Sequence, residues 1–122
     1  MKTRAIVFLA TLLVAIVVCG ADNAILIHNG FGTGLDYVGM THAEKRAYVM
    51  GAINGMMVAP LFGGSREEMK WLEDFVENMT DVRVAAIFSK YLEDNPEKWH
   101  DGLHLLFFSA MSVAYHDSRP TK

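Results

Sequence analysis

Four times in this chain a residue suited to capping a helix stands just ahead of an apolar repeat with spacings of three and four. Thr41-His42-Ala43-Glu44 and Ser65-Arg66-Glu67-Glu68 have the form of capping boxes. In such a box the hydroxyl accepts from the amide three residues on, and the acid reaches back to the capping amide. Thr80-Asp81 and Asn95-Pro96 are the other two. Thr and Asn cap, and Pro at a first helical position gives up only an amide that has no partner there. No stretch alternates with the period of a strand. The expectation is an all-α, small single-domain bundle of four main helices. The connections are short, which predicts roughly antiparallel neighbours.

The first of these helices should run from Thr41 to about Val58, ended by Pro60 and Gly63-Gly64. Its apolar face is read as Ala47, Tyr48, Gly51, Ala52, Gly55 and Val58. Each glycine costs about 1 kcal/mol relative to Ala inside a helix, which predicts close approach by a neighbouring helix. Gly51 and Gly55 also match the small-xxx-small pattern of dimerising helices. Lys45, Arg46 and Asn54 make the segment amphipathic, so packing within the molecule is favoured over a homodimer through this face. The second helix presents Met69, Leu72, Phe75, Val76 and Met79, and the third Val84, Ile87, Phe88, Tyr91 and Leu92. The last should start at Pro96, run to about Tyr115 and bury Trp99, Leu103, Leu106, Phe107, Ala110, Met111 and Ala114. Residues 22–40 are expected to be irregular, with turns at Asn29-Gly30 and Gly32-Thr33-Gly34. Ala24–Ile27 is an apolar stretch suited to pinning the N-terminus onto the body, and Leu35–Met40 has room for one helical turn.

The N-terminus carries a different signal. Lys2 and Arg4 precede a run from Ala5 to Val18 that only Thr11 interrupts, and Cys19-Gly20-Ala21 follows. That order is a secretory signal peptide over residues 1–21, cut before Asp22, and the run is too short for a comfortable span. The expected location is the periplasm of a Gram-negative bacterium, with residues 22–122 as one domain. Lipidation at Cys19 is the less favoured alternative, because Val18 is bulky where an acylation site wants a small residue. Beyond the leader nine basic residues face fourteen acidic ones, a net charge of −5. Such a surface argues against nucleic acid and anionic membranes. The single cysteine lies in the leader, so no disulfide is available and packing must supply stability.

Reactive constellations are weak. His100 and His104 stand at i and i+4, the spacing of paired zinc ligands. Asp101 replaces the Glu of the zincin pattern, Gly102 weakens the helix, and a third ligand would have to come from His116 or Glu93. Three protein ligands are the norm, so the favoured reading packs His100 beside Trp99 and leaves His104 at a helix surface. Ser65, Ser89, Ser109, Ser112 and Ser118 lack the strained turn of a nucleophile elbow. Gly30-Phe31-Gly32-Thr33-Gly34 follows no strand and precedes no basic residue, so a flexible turn is expected there in place of a phosphate cradle. No catalytic residue and no cofactor is assigned, and the chain is read as a non-enzyme. Met50, Met56, Met57, Leu61 and Phe62 form an apolar cluster whose default role is core packing; any exposed part marks a partner surface. Within it, Leu61-Phe62-Gly63-Gly64-Ser65 is apolar, glycine-hinged and flanked by helices, which suits an anchor entering a partner's pocket.

The series Tyr48-Val49-Met50-Gly51, Thr80 to Ile87, Lys90-Tyr91-Leu92 and Asn95-Pro96-Glu97-Lys98-Trp99-His100, with Ala110 in the closing helix, resembles the Rap/Tai family of type VI secretion immunity proteins. The resemblance implies a small all-α domain exported to the periplasm, often as a homodimer. It also implies a non-enzyme whose best-known relatives bind and block secreted peptidoglycan amidases. The matching Thr80, Tyr91, Leu92, Pro96 and Trp99 are implied to be structural. Relatives commonly carry a cysteine pair near the third and last helices, where this chain has Phe75 and Tyr115. The implied function is immunity-like occlusion of such an amidase, which the −5 charge would steer if the amidase is basic. The alternative is a structural or adaptor protein of the envelope with no toxin partner.

Overall fold

The structure, a computed structural model, describes residues 32–120. The expected leader with Cys19, the Ala24–Ile27 stretch and the turn expected at Asn29-Gly30 lie outside the described residues. The helices are α1 (Gly34–Val38), α2 (His42–Met57), α3 (Arg66–Val76), α4 (Asp81–Asp94) and α5 (Leu103–Asp117). Short 3-10 turns over Ala59–Phe62 and Pro96–Lys98 link α2 to α3 and α4 to α5. Four of the five helices are long, and an isolated bridge between Thr33 and Gly102 is the sole extended pairing among the described residues. The fold is all-α, as expected.

Three of those starts form as their spacing predicts. The Thr41 hydroxyl accepts from the Glu44 amide at 3.3 Å, while the Thr41 amide donates to the Glu44 carboxylate at 2.7 Å. The Thr41 amide first, and second the Thr41 hydroxyl, which also donates to that carboxylate at 2.8 Å, hold Glu44 below the usual carboxylate range. Thr80 accepts from the Arg83 amide at 3.2 Å. Ser65 accepts from the Glu68 amide at 3.3 Å, but its own hydroxyl donates to Glu67 at 3.1 Å, so the second box is only half made. A further full box, Thr33 with Asp36, opens α1. Gly32-Thr33-Gly34 is therefore a fixed helix entry, contrary to the expected flexible turn. Gly34 is also packed tightly, since an added Cβ would lie 2.9 Å from Leu106 Cδ1 and 3.0 Å from Trp99 Cα.

The fourth start is the main departure. One helix from Pro96 to Tyr115 does not form; Pro96–Lys98 is a 3-10 turn and α5 begins at Leu103. Asn95 turns its side-chain amide backward, donating to the Tyr91 carbonyl at 2.8 Å, and so caps the end of α4 instead. The Trp99 indole likewise donates to the Leu92 carbonyl at 2.8 Å. The backbone beyond is diverted into long-range pairing: Leu35 donates to Trp99, Gly34 to Asp101, and Leu103 to Gly32. Tertiary hydrogen bonding outweighs local helix preference there, aided by Gly102.

The core gathers Tyr37 from α1, Val49 from α2, Leu72 from α3, Val84, Ala85, Phe88 and Leu92 from α4, and five residues of α5. Phe88 is its centre, 4.5 Å from the Tyr37 ring and 5.3 Å from Phe107, the latter edge to face. The buried Tyr37 hydroxyl donates to the Ala85 carbonyl at 3.4 Å. Burial pushes the Tyr48 phenol up to about 12, with Tyr37 adding to the effect. Helix α2 packs mainly on α4, and α5 packs on α4 and α3.

Candidate functional site

The outer side of α2 is turned differently from the sequence reading. The face that meets the core is Val49 with Tyr48, Ala52, Ile53 and Met56, while Ala47, Gly51, Gly55 and Val58 are exposed. Among the described residues no helix fills the space at Gly51 or Gly55, where an added Cβ would meet nothing within 4 Å. The expected close approach at these glycines is thus not made by any described helix. In its place a groove of about 690 Å³ runs between α2 and α5. Ala47, Gly51, Gly55 and Ala59 form one wall, and His104, Leu105 and Phe108 the other.

At the end of α2 the chain makes a tight tip. The Leu61 amide donates to the Val58 carbonyl at 2.9 Å, and the Gly64 amide closes on the Ala59 carbonyl at 3.0 Å. Pro60 presets the 3-10 turn. Gly63 takes φ of 93°, a left-handed conformation that side chains resist. Ser65 then caps α3. Between these fixed points Leu61 is 81% exposed and Phe62 86%. The apolar cluster therefore divides. Met56 and Met57 pack against the core, whereas Met50, Leu61 and Phe62 face outward. Core packing, the default reading for Leu61 and Phe62, is corrected: the preceding turn directs both away from the body. Glu67 stands beside the tip, held below the usual carboxylate range by its own amide and then by the Ser65 hydroxyl.

The two histidines do not share a helical face. His100 is exposed in the turn before α5, and His104 lies in the first turn of α5. Its ring folds back over Gly102, where an added Cβ would approach Cε1 to 2.9 Å. His116 is near the far end of α5 and Glu93 is on α4. Among the described residues no three His, Cys, Asp or Glu side chains gather as a metal site would need. Nor is any described helix long and apolar enough to cross a membrane.

Two features escaped sequence reasoning. Trp71 meets the tilted ring of Tyr115 at 5.3 Å and Phe108 edge to face at 5.7 Å, joining α3 to α5. Arg46 bonds Asp81 at 2.7 Å, tying α2 to the start of α4. Trp71 was legible, standing one residue before Leu72 and four before Phe75; the ion pair spans 35 residues and carries no local signal. What the site offers chemically is apolar contact area, with no assembled acid, base or nucleophile among the described residues. Comparison with protein-family models, with characterised proteins and with solved structures returns no match.

Proposed function

We propose that this protein is a periplasmic binding protein of the immunity type, which occludes a secreted peptidoglycan amidase with the tip Leu61-Phe62-Gly63-Gly64-Ser65. The observation that carries this reading is the exposure of two adjacent large apolar side chains on a turn fixed at both ends. An apolar pair that contributes nothing to its own core is what a pocket-filling anchor needs, and its rigidity limits the entropy lost on binding. The resemblance to the Rap/Tai immunity proteins supports the amidase as the partner class.

The test pairs the purified protein with the peptidoglycan amidases secreted by the same bacterium. Inhibition of one of them at stoichiometric ratio is the expected result. Leu61→Asp/Phe62→Asp should then weaken binding by about 30-fold, the loss typical of a strong anchor, with the helical circular dichroism unchanged. Full affinity in that variant overturns the tip assignment, and failure to inhibit any such amidase overturns the partner class.

A further inference from the structure

We propose that a second groove, between α2 and α4, binds an extended acidic segment of a protein partner, whose carboxylates meet Arg46, Lys45 and Lys90 in turn. This groove encloses about 580 Å³, within the range of ligand sites. Ala85, Ala86 and Ser89 line it from α4 with small side chains, and His42, Lys45 and Arg46 line it from α2. With Lys90, three cations stand against one lining acid, Glu93, in a chain whose acids outnumber its bases by fourteen to eleven. A cleft lined mainly by one sign of charge focuses its field on the opposite sign. Rows of cations on a groove wall are also a recurring way of reading acidic peptides.

The spread of the cations selects the ligand. Arg46 bonds Asp81 at 2.7 Å and Lys90 bonds Asp94 at 2.8 Å, so each is drawn toward an opposite end of α4. Those two acids are the first and last residues of the helix, about 20 Å apart at its rise per residue. Lys45 falls between them. It lies 5.4 Å from the centre of the Tyr37 ring, and the Tyr37 hydroxyl reaches the Ala85 carbonyl, one turn on from Asp81. A single phosphate or carboxylate cannot touch sites so far apart, whereas about six extended residues span them. Donors remain for such a ligand. Lys45 has no ion pair among the described residues. The Asp81 bond uses only Nε of Arg46, and neither Asp81 nor Asp94 lines the groove itself. The terminal nitrogens of Arg46 can thus take a carboxylate, and Lys90 keeps N–H groups beyond the one given to Asp94. Leu61 and Phe62 do not line this groove, so the assignment is independent of the tip and of the amidase reading.

Binding of a fluorescently labelled hexaglutamate peptide to the purified protein, read by anisotropy at low salt, tests it. Saturable binding that hexaglutamine does not share is the expected result. Lys45→Gln should weaken it about tenfold, the loss of one charge-assisted hydrogen bond, and the more exposed Lys90→Gln about threefold. Lys70→Gln is the control, because Lys70 pairs with a carboxylate four residues on as Lys90 does, but on α3 and away from the groove. It should leave the affinity unchanged. Lys90→Gln keeps the test decisive if Lys45→Gln loses its helical circular dichroism. Absence of hexaglutamate binding, or an equal loss in all three variants, overturns the proposal. Displacement of the peptide by an equal concentration of inorganic phosphate overturns it too, since that marks a point site for any anion. So does tighter binding of a short oligothymidylate than of the peptide, which would assign the groove to nucleic acid.

Discussion

Helices α2 and α4 are of similar length, sixteen and fourteen residues, yet they relate to the core in opposite ways. Helix α4 buries Val84, Ala85, Phe88 and Leu92 along one face. Helix α2 buries Val49 alone and offers small residues to the outside. The contrast separates two things that apolar spacing conflates. Phe88 removes large area from water, whereas a row of Gly and Ala has the right period and almost no area to remove. Periodicity shows where a face is; side-chain size decides whether that face is driven inward.

Breaking α4 should have the largest effect. Phe88→Ala should lower unfolding free energy by about 3–5 kcal/mol, read by denaturant titration, because its ring touches Tyr37, Phe107 and Tyr48 and leaves a cavity. A loss below about 1 kcal/mol would mean that the α4 face is not the centre of stability. Two glycines sharpen the same contrast with opposite signs. Gly34→Ala should destabilise by about 1–3 kcal/mol through its clash with Trp99 and Leu106. Gly51→Ala should stabilise by up to about 1 kcal/mol, since within the helix its methyl group would meet no described neighbour. Denaturation midpoints that move the same way would contradict the packing described for one of the two.

The smallest effect concerns the clamp between these helices. Its hydrogen bond from Arg46 holds Asp81 below the ordinary 3.8. A depressed carboxylate contributes stability that is present above its unfolded value and lost as pH falls through the lower folded value. The stability gap between wild type and Arg46→Leu should therefore be constant from neutral pH to about 4 and narrow below it. Denaturant midpoints taken across that range check the sign. A gap that widens in acid would place the stabilising partner of Arg46 elsewhere.

Much of the architecture was legible before any coordinates. Thr41, Ser65 and Thr80 announce their helices by local chemistry, and the stripes of α3 and α4 follow from bulky residues at helical spacing. What failed to show was non-local. Asn95 has the chemistry to cap either helix beside it, and the choice to close α4 is made by backbone pairing with residues 32–35. The exposed tip was marked by its glycines and proline. Its outward direction depends on Gly63 adopting φ of 93°, a value that spacing alone does not dictate. The groove was hidden for a related reason, because the glycines that line it resemble the glycines of a tight helix contact.

The chain's two tryptophans sit at separate junctions of the fold. Trp71 is wedged among Phe108 and Tyr115, and Trp99 hangs from the Leu92 carbonyl beside the entry of residues 32–35. The protein thus carries two native optical probes. Emission from Trp99 reports detachment of the incoming strand, while emission from Trp71 reports separation of α3 from α5. Compared side by side, Trp71→Phe and Trp99→Phe would show by light alone which seam of the molecule opens first.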